Sequence, residues 1–273
     1  MRIGIVANAQ IENSVRCASE LKAWLKGDAE VYIPQSLDDF NVQHSHAHRF
    51  FKNVHIACVM GGDGTILSVS RLASTYDVPV LGVNLGRIGY LSEVEISGMR
   101  QAITRILSHD YIIDERMMLT TTYDSKRYCA LNEFAVTRKQ FDSILRLTVS
   151  VDGQAFDTMV GDGMLVSTPT GSTGYSLSAG GPIISPQVNG ILITPLCSHS
   201  LSSRPVMIAP EKQITISPQA RGNSSVFLSF DGQMACKVHS PLTIMRSKNT
   251  AKFIRFQEFD FFTILNNKLN EKP

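Results

Sequence analysis

An α/β domain followed by an all-β domain is the fold class that this sequence predicts, and a change of pattern along the chain predicts it. Before about Tyr111, short apolar runs alternate with segments of helical spacing. After it, helical periodicity nearly vanishes and strand-like alternation takes over. At 273 residues the chain is long for one core and comfortable for two. The expected organisation is an α/β domain over residues 1–110 and a β-rich domain over 111–250. Residues 251–273 read as a tail packing back on the α/β domain or on a neighbouring subunit.

In the first part, residues 3–7 read as a buried strand, and Val15, Ala18, Leu21 and Leu25 recur at helical spacing. Residues 30–33, 54–60 and 80–83 read as strands, and Ile96, Met99, Ile103 and Ile106 or Leu107 outline an amphipathic helix. Such alternation implies a parallel, Rossmann-like sheet with helices on its faces, with ligands beyond the carboxyl ends of its strands. In the second part, residues 119–123 and 129–137 look like paired strands across Asp124-Ser125-Lys126. Residues 145–151 alternate cleanly before a hairpin turn at Asp152-Gly153. Residues 191–194, 213–216, 225–230 and 242–245 continue the series. The tail, 259–269, is aromatic and helix-like, with Phe259, Phe261 and Phe262.

Composition narrows the class. Hydrophobic content of 43%, charged content of 18% and a net charge of +2 describe a soluble globular protein without a primary nucleic-acid surface. Five scattered cysteines (Cys17, Cys58, Cys129, Cys197 and Cys236) include no CxxC pair and read as reduced thiols of a cytoplasmic protein. The N-terminus has a buried-strand pattern rather than that of a signal peptide, and no apolar run approaches the roughly 20 residues of a membrane helix.

The densest chemistry stands at Gly61-Gly62-Asp63-Gly64-Thr65, between an apolar strand and a helix-compatible segment. Strand, glycine turn and helix start expose backbone N–H groups where phosphate can approach. Asp63 at its centre suggests a proton acceptor or a metal contact, against the plainer role of a helix-dipole partner. No GxxxxGK[ST] or GxGxxG motif occurs. Gly161-Asp162-Gly163, and the segment from Ser167 to Pro182, combine hydroxyls and glycines. They suit sugars, phosphates or base edges, or else a loop held by its own hydrogen bonds. Asn132-Glu133 lies within an apolar strand, as a ribose-diol clamp or as the wet face of an edge strand. Arg87, in the glycine-spaced loop 82–91, reads as a phosphate partner or a surface arginine, and Asp231-Gly232-Gln233 as a hairpin turn. His44, His46 and His48 read as a solvated loop rather than a metal site, and the segment around His199 has no nucleophile elbow.

Together these motifs resemble the NAD kinases, which phosphorylate the adenosine ribose of NAD to make NADP. Gly61-Gly62-Asp63-Gly64-Thr65 is similar to the family's GGDGT, the loop from Gly82 to Leu91 to its next glycine loop, and Asn132-Glu133 to its NE motif. Asp162-Gly163, Thr168-Pro169-Thr170-Gly171-Ser172-Thr173, Gly180-Gly181-Pro182 and Asp231-Gly232-Gln233 follow in the family's order. The resemblance implies NAD bound between the two domains, ATP or inorganic polyphosphate as the phosphoryl donor, and Mg²⁺ or another divalent cation that is not tightly bound. It implies a homodimer or homotetramer, with no nucleic-acid or membrane partner. It makes Asp63 the catalytic base. Gly62, Asp63, Gly64, Tyr90, Asn132, Glu133, Asp162, Thr170, Thr173, Gly174, Tyr175, Ser176, Leu177, Ser178 and Gln233 become nucleotide contacts. Metal ligands are not assigned. Two positions depart from many bacterial relatives, which have Ala in place of Gly174 and a basic residue in place of Val160. A GGDGT-type lipid kinase and a non-catalytic dinucleotide sensor are the competing readings.

Overall fold

The computed structural model describes residues 1–8, 10–27, 29–32, 44–85, 89–138, 144–200, 203–219 and 225–270. The chain divides into two units, residues 1–115 with 249–273, and residues 116–248.

In the first unit, β1 (Arg2–Ala7), β2 (Glu30–Tyr32), β3 (Ile56–Met60), β4 (Val80–Asn84), β5 (Val94–Glu95) and β6 (Ile112–Arg116) join one sheet. Among the described residues that sheet has seven strands, in the order β2-β1-β3-β4, then the late strand Ala251–Arg255, then β6, with β5 also on β4. Strands β1 to β5 pair in parallel. The late strand also runs parallel to β4, with Phe253 opposite Val80. It belongs to the sheet, where the sequence pattern suggested only a tail. Ala251, Phe253 and Ile254 are wholly buried, so its five residues carry no alternation to distinguish them from a short buried run.

Helices cover both faces. Helix α1 (Glu12–Trp24) buries Cys17, Ala18 and Leu21, and α2 (His44–Asn53) buries Ala47, Phe50 and Phe51. Helix α3 (Asp63–Ala73) buries Ile66 and Val69, and α4 (Met99–Leu107) buries Ala102, Ile103 and Ile106. Val15, expected on the buried stripe of α1, is 45% exposed, and Ser14 takes its place inside by donating to Met60 O at 3.0 Å. The expected histidine loop is instead the start of α2. Ala47, Phe50 and Phe51 supply the i, i+3, i+4 face that makes it a helix.

The second unit is a sandwich of antiparallel strands: β7 (Leu119–Tyr123), β8 (Lys126–Ala130), β9 (Glu133–Arg138), β10 (Leu145–Val151), β11 (Gln154–Gly161), β12 (Gly163–Ser167), β13 (Ile191–Leu196), β14 (Val206–Ile208), β15 (Ile214–Gln219), β16 (Val226–Phe230), β17 (Gln233–Val238) and β18 (Leu242–Arg246). The sheet orders are β11-β10-β15-β18-β7-β8 and β14-β13-β12-β9-β16-β17. Leu147, Val149, Ile216 and Ile244 of the first meet Phe134, Val136, Val166 and Leu228 of the second in one apolar core. Three hairpins turn on pairs of positive-φ residues: Asp124-Ser125, Asp152-Gly153 and Asp231-Gly232. Two-residue hairpin loops need that geometry to follow the strand twist.

One expected strand is divided. Residues 129–137 do not run straight through: Ala130 ends β8 in one sheet and Glu133 begins β9 in the other. Asn132-Glu133 therefore sits at a sheet-to-sheet switch, not mid-strand. β9 is also flanked by β12 and β16, so it is no edge strand.

Candidate active site

In the first unit, β3 ends at Met60 and the chain turns through Gly61-Gly62 into α3. Gly61 N–H donates to Val83 O at 3.1 Å, tying the turn to β4. No side chain caps the helix, so its first N–H groups stay available to an anion at the carboxyl edge of the sheet. An added Cβ on Gly62 or Gly64 would meet nothing within 4 Å, so that side of the turn is open.

Asp63 is the first helical residue. Its Oδ2 accepts the Tyr90 N–H at 2.9 Å and its Oδ1 the Leu91 N–H at 3.3 Å. Gly89 passes so close that a Cβ there would strike the Asp63 carboxylate, which restricts the position to glycine. Ser92 Oγ accepts the Gly89 N–H at 2.7 Å, and Ser92 O accepts from the buried Arg255 at 2.9 Å. Arg255 is in turn held by Glu93 at 3.0 Å and Asp114 at 3.2 Å. The late strand thus braces the loop whose amides orient Asp63. A carboxylate has about four lone-pair sites, so two amide bonds leave Asp63 able to accept a further proton or hydrogen bond.

Asn8, directly after β1, is a further polar residue at this edge. Its Nδ2 donates to Thr65 Oγ1 at 3.0 Å, and its backbone N–H donates to Met60 O at 3.1 Å. A polar residue closing β1 was the available signal, legible only once β1 and β3 are known to be neighbours.

In the second unit, Leu131-Asn132-Glu133 is gripped from two sides. Asp231 Oδ2 accepts the Leu131 N–H at 3.0 Å, and Oδ1 accepts those of Asn132 at 2.8 Å and Glu133 at 3.3 Å. Thr168 donates its hydroxyl to Leu131 O at 2.6 Å and its N–H to Asn132 O at 2.8 Å. Gly171 packs directly on Asn132, whose carbonyl leaves no room for a Cβ. Glu133 is 6% exposed, and its Oε2 is buried with no hydrogen-bond partner. Burial first, then the nearby Asp231 charge, push its carboxyl up to about 7, against a smaller opposing effect of the Tyr175 backbone amide. A Cβ on Gly174 would lie 3.2 Å from Glu133 Oε2 and 3.4 Å from Asn132 Nδ2, so glycine there widens the space beside both.

The structure sorts the remaining sequence candidates. Asn132, Glu133, Gly174 and the Tyr175 backbone come together with Asp231, while the Tyr175 side chain is 49% exposed. Gln233 follows directly as the first residue of β17. Thr173 donates to Thr170 O at 3.2 Å, Leu177 is half-buried and Ser178 is exposed. Ser176 is turned inward, its hydroxyl paired with Thr194 at 2.8 Å. Ser172 is likewise spent on Pro169 O and Ile184 O. The segment after Ser167 therefore uses part of its hydroxyls to hold its own shape. Asp162 sits at the corner between β11 and β12, ion-paired with Arg138 at 2.6 Å. Val160 faces Arg146 across β10 and β11, so a cation stands on that face from the neighbouring strand. Tyr90 lies in the first unit, its ring 6.3 Å from that of Phe261.

His48 bonds the Tyr76 hydroxyl at 3.0 Å. The side chains of His44 and His46, and the whole of Gly86 and Arg87, lie outside the described residues. No group of three or more His, Cys, Asp or Glu that could hold a metal occurs among the described residues. All five cysteines are free thiols, and burial pushes Cys58 up to about 12. No described helix is long and apolar enough to cross a membrane.

A parallel α/β unit with a glycine turn at the carboxyl edge of its sheet, joined in one chain to an antiparallel two-sheet unit, defines the class of fold. The chain matches the ATP-NAD kinase N-terminal domain over residues 3–111 and the ATP-NAD kinase C-terminal domain over residues 131–256. It is 36% identical to the NAD kinase of Geotalea daltonii, over 98% of each chain. It is 37% identical to that of Methanopyrus kandleri, over 93% of this chain and 92% of that one. Among solved structures, yeast NADH kinase complexed with NADH superposes with a TM-score of 0.87 at 24% identity, covering 100% of this chain and 89% of that one. An NAD kinase from Archaeoglobus fulgidus in complex with ATP gives 0.79 at 23% identity, covering 100% of both. These two likenesses establish the fold. The chain belongs to the NAD kinase family.

Proposed function

We propose that this protein transfers a phosphoryl group from ATP to the 2′-hydroxyl of the adenosine ribose of NAD, giving NADP. The observation that carries the reading is the buried Glu133 carboxyl, whose Oε2 has no partner at the edge of a switch that Asp231 and Thr168 hold in place. A buried, unsatisfied acceptor is costly, and a hydroxyl donated by a ligand would relieve it. Family membership supplies the substrate class, and the matched C-terminal domain sets aside the lipid-kinase reading.

Phosphoryl transfer asks for an aligned hydroxyl, a proton acceptor and neutralised phosphate charge. In the proposed roles, Asn132 and Glu133 hold the ribose hydroxyls, and Asp63, already oriented by two amides, accepts the proton. The uncapped start of α3 would receive donor phosphates. A divalent cation held mainly by the donor phosphates would supply charge neutralisation there. A metal carried mainly by substrate fits a protein that offers no acidic cage among its described residues.

The remaining nucleotide contacts proposed are Gly62, Gly64, Tyr90, Asp162, Thr170, Thr173, Tyr175, Leu177, Ser178 and Gln233. For Ser176, whose hydroxyl is spent on Thr194, only the backbone is proposed. A cytoplasmic homo-oligomer is the proposed setting. Incubation with NAD, ATP and Mg²⁺, read by an NADP-specific dehydrogenase, tests the activity. NADP formation supports the kinase, and NAD binding without NADP would make the protein a dinucleotide sensor. Replacing ATP by inorganic polyphosphate, and NAD by NADH, defines donor and acceptor range.

A further inference from the structure

Asp231 does more than close a hairpin. Its two carboxylate oxygens take the N–H groups of three successive residues, Leu131, Asn132 and Glu133, at 3.0, 2.8 and 3.3 Å. Its own N–H returns a bond to Glu133 O at 3.1 Å. Residues 131 and 132 lie between strands of two different sheets, so no ladder fixes their direction. The carboxylate provides the missing partner, and its charge strengthens each bond.

We propose that Asp231 is a positioning residue: it fixes the direction in which Asn132 and Glu133 are presented, and it holds its own negative charge beside the carboxyl that meets a ligand hydroxyl. The elements around Glu133 support this. Across the ladder, β12 offers Ser167, followed by Thr168, neither of which titrates in this range. The Gly174-Tyr175 turn offers a backbone amide, and Asn132 an uncharged side chain. Asp231 is the charge that acts on Glu133 among the described residues. An ionised Glu133 only accepts hydrogen bonds, as a diol donating both hydroxyls requires, whereas the protonated acid must donate one. Ligand affinity therefore rises as pH climbs through the Glu133 range, which burial first and then the Asp231 charge raise toward neutrality.

The ligand part rests on the NAD reading, so the test has one arm without ligand. Asp231→Asn keeps an acceptor for the Asn132 and Glu133 amides, tolerates the positive φ of 47° and removes the charge. Unfolding of the free protein is measured from pH 4.5 to pH 8 for wild type, Glu133→Gln, Asp231→Asn and the double variant. The difference between wild type and Glu133→Gln isolates the Glu133 contribution. With its folded value raised from 4.5 to about 7, that contribution is present in full below the lower value and lost as pH rises through the upper one.

In the Asp231→Asn background the loss moves to lower pH, and the midpoint of NAD affinity against pH moves with it. A Glu133-dependent loss that stays at the same pH in Asp231→Asn overturns the proposal. A stability shift in a protein that forms no NADP leaves Asp231 in its role and overturns the kinase reading instead.

Discussion

Glu133 is a burden to the free protein, and under the proposed function it becomes an asset once NAD binds. Its carboxyl is buried beside another acid, so ionising it costs stability, and the structure answers by raising it to about 7. Glu133→Gln should therefore leave the free protein at least as stable as wild type at pH 8, as thermal melts would report. The same change should weaken NAD about tenfold to a hundredfold, since hydrogen bonds to a charged group contribute about 1.5–3 kcal/mol. An unchanged NAD Kd, measured by calorimetry, would remove Glu133 from the site. Gly174 makes a finer test. Its φ of −94° is open to alanine, but the new methyl would press on Glu133 Oε2 at 3.2 Å. Gly174→Ala should change NAD affinity less than about tenfold, because a small overpacked contact costs roughly 1 kcal/mol when its neighbours can shift. A hundredfold loss would mean that the neighbours cannot shift.

The elements show what local pattern reveals and what it hides. The turn after β3, the strand alternation in β10 and the Asp152-Gly153 hairpin are local, and residue type alone makes them legible. β12 is buried at all five positions, and a strand covered on both faces has no period to read. The switch at Leu131-Asn132 was invisible for a different reason. Its anchor, Asp231, lies 99 residues from Asn132, and in sequence it shows only as a hairpin turn. The motifs were thus readable one by one, while their partnerships needed the sheet topology. Gly171 tests the resulting packing directly. Alanine there would meet the Asn132 carbonyl, and the expected cost is about 1–3 kcal/mol in urea unfolding together with weaker NAD binding. Unaltered stability would mean that the segment after Ser167 does not rest on the switch as described.

At the scale of the whole molecule, the chain returns to its first unit after completing its second, and that return is structural. The late strand Ala251–Arg255 lies between β4 and β6, and Arg255 neutralises Glu93 and Asp114 while holding Ser92. Truncation after Lys248 removes an interior strand and leaves two carboxylates without their buried cation. The first unit should then fail to fold, with loss of helical circular dichroism and of NADP formation. A truncated protein with wild-type melting and turnover would contradict this arrangement.

In the proposed reaction a phosphoryl group passes to NAD with Asp63 taking the proton. Steady-state NADP formation from NAD, ATP and Mg²⁺, compared between wild type and Asp63→Asn, tests it most directly. Turnover by wild type is expected, with a fall of about 10²–10⁴ in kcat for Asp63→Asn and NAD affinity within a few-fold. Equal turnover in the two proteins, or no NADP from wild type, would contradict it.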